Sequence, residues 1–265
     1  MTEPSTVPNS PTMPASAHLG RTRPIDLLWI ILIIVVGLLM AGVVSVVIGL
    51  ASGYITRALA IDVSSIQVDL MQGAVVTGIF ITAAIFGFGG LWLARRRGVD
   101  SRALGFRGAG WIWFAAAVGL AVLFYLADGF ITQWIDPSGE ISREMSGTFL
   151  LLPSPVWVTI VAIAIGPVTA AAEETLFRGL LYRWFRERIG VVFAALLSAV
   201  LFAASHLYFV VPGGFAGEVM TLEIVVFGLI AAGLYQASGS LWPSILFHAL
   251  NNASVVLTAI LPPGG

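Results

Sequence analysis

The sequence predicts an all-α, polytopic transmembrane helix bundle, and three observations carry that expectation. Charged residues make up only 10% of the chain against 58% hydrophobic ones, whereas soluble domains carry about 25% charge. Mean hydropathy is +0.97. The apolar residues are gathered into long runs, several of them near the ~20 residues a helix needs to cross a hydrocarbon core. About seven such runs are expected to be spans. A formal net charge of −1 gives no basis for binding nucleic acid or an acidic partner. The absence of cysteine removes disulfides, thiolate chemistry and cysteine metal sites together.

Residues 1–24 are rich in Pro, Ser and Thr and have no apolar periodicity, so they are expected to form a disordered tail. The helical domain is expected over 25–262. Its first run, 27–51, exceeds the ~7–15 apolar residues of a secretory signal and reads as an uncleaved span. The second, 71–93, stops at Arg95, Arg96 and Arg97. An arginine-rich loop with Leu104-Gly105-Phe106-Arg107 leads to the third, 111–135. The fourth starts near Pro155, and the last three cover 191–209, 222–236 and 241–261. Arginines at 21 and 23, at 95–107 and at 183–188 fall on alternate sides of these spans, and the intervening loops are poor in them. Cytoplasmic loops carry the excess of basic residues, so the N-terminus is expected in the cytoplasm.

The fourth run contains the stretch Ala170-Ala-Ala-Glu-Glu-Thr-Leu-Phe-Arg-Gly179. Ionisable groups inside a bilayer are costly, so they are paired and mark function. The fifth run carries Phe202…His206 and the seventh His248…Asn252, and the third histidine, His18, lies in the tail. Spacings of i, i+4 place Glu174 with Arg178, Phe202 with His206, and His248 with Asn252, each pair on one helix face. Glu173 is rotated about 100° from Glu174, so one carboxylate alone is expected to address a given partner.

Glu173 lies 17 residues before Gly190 and His206 lies 16 after it. If the chain turns at Gly190, both sit about 25 Å from the turn, at one level. His248 lies roughly 10 Å inside the cytoplasmic end of its span. Gly166-Pro167 is expected to kink the helix ahead of Glu173.

A glutamate, two histidines and an asparagine with no serine or cysteine nucleophile suit hydrolysis by water. A carboxylate in a low-dielectric site can be tuned to take a proton near neutral pH, which makes Glu173 the candidate base. His206 is placed to share the water or donate to the leaving amine. His248 and Asn252 offer N–H donors to an oxyanion.

These three motifs, Glu173-Glu174…Arg178, Phe202…His206 and His248…Asn252, in that order on successive hydrophobic helices, resemble the CAAX protease and bacteriocin-processing (CPBP, or Abi) family. Its members are intramembrane endopeptidases related to the type II CAAX prenyl endopeptidase. The resemblance covers about 155–260, the expected catalytic core, and Leu104–Arg107 is also similar to the family's pattern. It implies peptide-bond hydrolysis near the cytoplasmic face, on a peptide or lipidated protein, including prenylated CAAX proteins, reached from the membrane or the cytoplasm. Such enzymes are described both as metalloproteases and as users of a glutamate-activated water. Glu173, His206 and His248 could supply the three ligands of a catalytic zinc, but then another base is needed and no His-Glu-x-x-His pair exists. The metal-free site, with no cofactor, is the favoured expectation.

Blander readings stand beside these. Glu174 and Arg178 are expected to pair and lower each other's burial cost, and Phe202 to pack. Asp128 is expected to be structural or water-facing, Glu223 to be solvated near the outer interface, and Asn251 to face away from Asn252. The competing functions are a non-catalytic scaffold or immunity-type binding protein of the same fold and a proton-coupled transporter. The chain shows no internal repeat that would favour the transporter.

Overall fold

In a bilayer every backbone N–H and C=O must be satisfied within the protein, which leaves helices or closed barrels. The described residues of the computed structural model, 22–58, 63–137, 164–206 and 214–260, contain helices and no strand. Most of the expected tail (1–21) and the start of the fourth run (155–163) lie outside the described residues.

Helices α1 (Pro24–Ala58) and α2 (Val63–Arg96) pack on each other. Small residues allow the close approach. Ser45 Oγ donates to the Ala74 carbonyl at 3.2 Å, and the face of Gly37 is filled by the Phe86 ring. Asp26 near the start of α1 accepts from Arg97 Nε at 2.6 Å just past the end of α2. Both helices overrun the expected apolar limits, because helical hydrogen bonding continues through polar flanking residues once a span has nucleated it.

A short α3 (Ser101–Leu104) precedes α4 (Trp111–Ile135). The glutamate-bearing helix then runs through four consecutive segments. These are a π-helical segment π1 (Ala164–Thr169), an α-helical turn α5 (Ala170–Glu174), a second π segment π2 (Thr175–Tyr182) and α6 (Arg183–Ile189). Pro167 lies inside π1. Proline has no N–H to give to an α-helical ladder, and here the helix is rewound rather than ended. The chain reverses at Gly190, φ +81°, a left-handed conformation that favours glycine. It returns as α7 (Val191–Ala204), followed by α8 (Gly214–Ser238) and α9 (Leu241–Ile260).

The core gathers on the glutamate-bearing helix, where Leu176, Phe177, Leu181 and Tyr182 are fully buried. α2 packs on α5 and π2, α7 on π2 and α8, and α9 on α4, π1 and α5. Among the described residues four segments are long and apolar enough to cross a membrane: Pro24–Ile55, Val76–Arg96, Trp111–Ile135 and Gly217–Ser238. Leu28, Leu39, Leu50, Phe88, Leu123, Phe130 and Val192 are exposed. So much exposed apolar surface is a liability in water and a solvation surface in lipid. The chain is a membrane protein.

Candidate active site

Glu173 and Glu174 occupy the single α-helical turn between the two π segments. π-helical turns are frequent at functional sites. Glu174 is completely buried. Its Oε1 receives Arg178 Nη1 at 2.9 Å and His248 Nδ1 at 2.9 Å. Arg178, also completely buried, sends Nη2 to the Gly228 carbonyl on α8 at 3.1 Å. Its guanidinium lies 4.6 Å from the centre of the Phe202 ring, a cation–π contact that buries charge on an apolar neighbour. The i, i+4 pair expected from the sequence is therefore one edge of a network joining π2, α7, α8 and α9.

The histidine tautomers follow from their partners. A carboxylate oxygen paired with a guanidinium has only lone pairs to offer, so His248 Nδ1 carries the hydrogen. His206 Nδ1 faces the Phe202 carbonyl at 2.8 Å and Ser205 Oγ at 3.2 Å. Ser205 Oγ spends its own hydrogen on that carbonyl at 2.7 Å, so His206 Nδ1 is a donor too. With the hydrogen on Nδ1, the lone pair of each ring is on Nε2.

Both Nε2 atoms face the same oxygen. Glu173 Oε2 lies 3.7 Å from His206 Nε2 and 3.7 Å from His248 Nε2. These separations exceed direct hydrogen bonds, and Oε2 is buried with no direct partner. Accessibility is graded. The side chains of His206 and Glu173 are 23% and 13% exposed, while Glu174 and Arg178 are sealed. Glu173 and His206 therefore mark the open side of the cluster.

Glu174 alone meets His248 directly, at Nδ1 and 2.9 Å, while Glu173 stands 3.7 Å from Nε2 on the other side of the ring, because the imidazole spans the angle between two successive side chains. Phe202 does more than pack. Its ring stands between Arg178 and His206, 4.5 Å from the latter's ring centre. Asn252 Nδ2 donates to Thr169 Oγ1 on π1 at 3.3 Å, one turn along α9 from His248. Glu223 on α8 stands near Asp128 on α4, and its Oε1 is buried without a hydrogen-bond partner.

Sequence reasoning missed Gly228, Thr169 and Ser205. Gly228 acts through its carbonyl, which no side-chain pattern marks. Thr169 lies four residues before Glu173, a helical spacing that could have flagged it.

Among the described residues no group of three or more His, Cys, Asp or Glu side chains is arranged to hold a metal ion. Glu173 Oε2 stands 3.7 Å from each imidazole nitrogen, wider than the ~3.4 Å between donors sharing a tetrahedral zinc at ~2.0–2.1 Å.

Residues 153–254 match the family model described as Type II CAAX prenyl endopeptidase Rce1-like. All seven site residues named above from Glu173 to Asn252 fall inside that match. A curated Bacillus subtilis (strain 168) protein, described as "Putative membrane peptidase YdiL", is 28% identical over 154 residues, 55% of this chain and 59% of that protein. The chain thus spans under two thirds of that relative's length. No solved structure matches the chain. The site's three motifs, its helical membrane fold and these similarities agree in supporting a relationship to the CAAX protease and bacteriocin-processing family of membrane proteins.

Proposed function

We propose that the chain is an intramembrane endopeptidase in which Glu173 activates a water against a peptide bond. The observation that carries this reading is the convergence of Glu173 Oε2 with the Nε2 atoms of His206 and His248, at 3.7 Å each. A gap of 3.7 Å is too short to hold a water on the line between two acceptors. A water about 2.8 Å from both sits to one side of that line, facing whatever enters the open side. It donates one hydrogen to Glu173 and the other to an Nε2, which leaves a lone pair for the carbonyl carbon.

Attack forms the O–C bond, and the water's proton passes to Glu173. The carbonyl electron pair moves to oxygen, where the Asn252 amide supplies a donor. Collapse breaks the C–N bond, and the proton held by Glu173 goes to the leaving amine nitrogen. Peptide plus water becomes acid plus amine, with no external reagent. His248, its Nδ1 hydrogen held by Glu174, acts from Nε2 on the water.

The substrate class of this proposal is a membrane-associated peptide or lipidated protein, prenylated CAAX proteins among them. In this reading the N-terminus is cytoplasmic and the site lies in the cytoplasmic half of a bacterial plasma membrane. The test is reconstitution into liposomes with a peptide library, read by mass spectrometry with and without a strong chelator. Cleavage that persists in chelator and disappears in Glu173→Gln, His206→Ala and His248→Ala is expected. Wild-type turnover in Glu173→Gln would sink the reading, and loss in chelator would return Glu173, His206 and His248 to the role of zinc ligands.

A further inference from the structure

We propose that the loop Leu104–Arg107 is a strap that sets the position of α9 and thereby places His248 against Glu174 and Glu173; the reading rests on the site proposed above. The loop is itself fixed. Asp100 caps α3 by accepting from the Ala103 N–H at 2.7 Å. Gly105 takes φ +115°, where a side chain is strained. A Cβ there would also lie 2.7 Å from the Tyr235 ring and 3.0 Å from Leu241 Cγ.

From this fixed loop four hydrogen bonds run to the corner between α8 and α9. The Leu104 carbonyl accepts from Tyr235 OH at 3.0 Å. The Gly105 carbonyl accepts from the Leu241 N–H at 2.8 Å. The Arg107 carbonyl accepts from Ser240 Oγ at 2.6 Å, and Arg107 Nε donates to the Gly239 carbonyl at 2.5 Å. The Leu241 N–H is one of the donors that a helix start cannot satisfy internally, so the loop caps α9. Phe106 sets its ring edge against Trp242 at 5.6 Å.

The other side of the strap rests on the glutamate-bearing helix. The Cβ position of Gly179, five residues after Glu174, is 3.5 Å from Leu104 Cδ2 and 3.6 Å from the Leu104 carbonyl. Arg183 Nη1 donates to the Ala103 carbonyl at 3.5 Å. The strap is therefore a wedge between the helix that carries the carboxylates and the hairpin that carries His248. His248 is seven residues beyond Leu241, about two turns and ~10.5 Å along the same face of α9. Ser244 Oγ ties α9 to the Ala231 carbonyl of α8 at 2.8 Å, so the two helices move together. A displacement at the corner carries through to the imidazole.

The chain has only three histidines, so imidazole nitrogen-15 spectra of the full chain in lipid nanodiscs give each ring its own signals. Tyr235→Phe removes one strap hydrogen bond and keeps the ring. It is expected to speed solvent exchange of the His248 Nδ1 hydrogen about fivefold. Gly105→Ala is expected to go further and mix the His248 tautomers. His206 should be unchanged in both variants, because its Nδ1 hydrogen is held by Phe202 on its own helix. His248 signals and exchange equal to wild type in folded variants would overturn the strap. So would an equal change in His206, which marks general loosening. If Gly105→Ala yields no folded protein, Tyr235→Phe decides alone. The readout uses no peptide cleavage, so a failed strap and an inactive chain give different results.

Discussion

Glu174 and His248, 74 positions apart in the chain, meet at 2.9 Å between Oε1 and Nδ1. The same oxygen receives Arg178 at 2.9 Å, so one buried carboxylate fixes both a cation and the tautomer of a site histidine. A carboxylate behind an imidazole orients the ring and leaves its far nitrogen free for chemistry.

The two adjacent glutamates should separate in experiment. Glu173→Gln is expected to lower peptide hydrolysis by about 10²–10⁴-fold, the contribution of a general base, with the His248 nitrogen-15 signals retained. Glu174→Gln should also lower turnover, and in addition shift the His248 signals, because an amide can present either its N–H or its carbonyl to Nδ1. Matching spectra for the two variants would contradict the division of roles.

Arg178 is sealed, and its two terminal nitrogens go to different elements. Arg178→Met leaves Glu174 buried without its cation and is expected to destabilise the fold by about 3–5 kcal/mol, measured by thermal unfolding in detergent. Arg178→Lys should recover little, since a compact ammonium does not reproduce the planar fork. Replacing both partners, Glu174→Leu with Arg178→Met, should be less destabilised than Arg178→Met alone.

Gly228 touches α7. A Cβ there would lie 2.9 Å from both Cα and Cβ of Ala199, so Gly228→Ala must push α7 and α8 apart. A destabilisation of about 1–3 kcal/mol is expected, read by thermal unfolding. Ala199→Gly in the same chain should recover part of it, because the clash with the methyl group is relieved and the clash with the backbone remains. Full stability in Gly228→Ala would show that the two helices can separate there at no cost.

Topology is testable because the chain has no native cysteine. A cysteine at Ser101, in the arginine-rich loop, is expected to react with an impermeant maleimide only when the cytoplasmic side is opened. One at Ala58, the end of α1, should react from outside. The reverse pattern would invert the proposed orientation and the side from which substrate arrives.

Helicity and membrane residence were legible because they depend on composition and run length, which are local properties of the chain. The level of Glu173 with His206 was legible too, since two helices of known rise run back side by side from the turn at Gly190. The Glu174–Arg178 pair needed only the i, i+4 rule. Other features were illegible for an equally physical reason. Helices apolar on all sides carry no periodicity to say which face meets which neighbour. Backbone groups such as the Gly228 carbonyl leave no side-chain signature, and a π-wound turn cannot be told from an α-helical one by residue type.

The sequence by itself determined that this chain is a helical membrane protein with carboxylates and histidines set into its apolar runs, because burying such groups in lipid is too costly to be accidental. Only the tertiary structure decided that both glutamates converge on His248. Only it brought the Gly228 carbonyl to Arg178, and the Leu104–Arg107 loop to the start of α9. Each of those relationships is a hydrogen bond or ion contact between segments far apart in the chain, and such contacts exist only once the helices have packed.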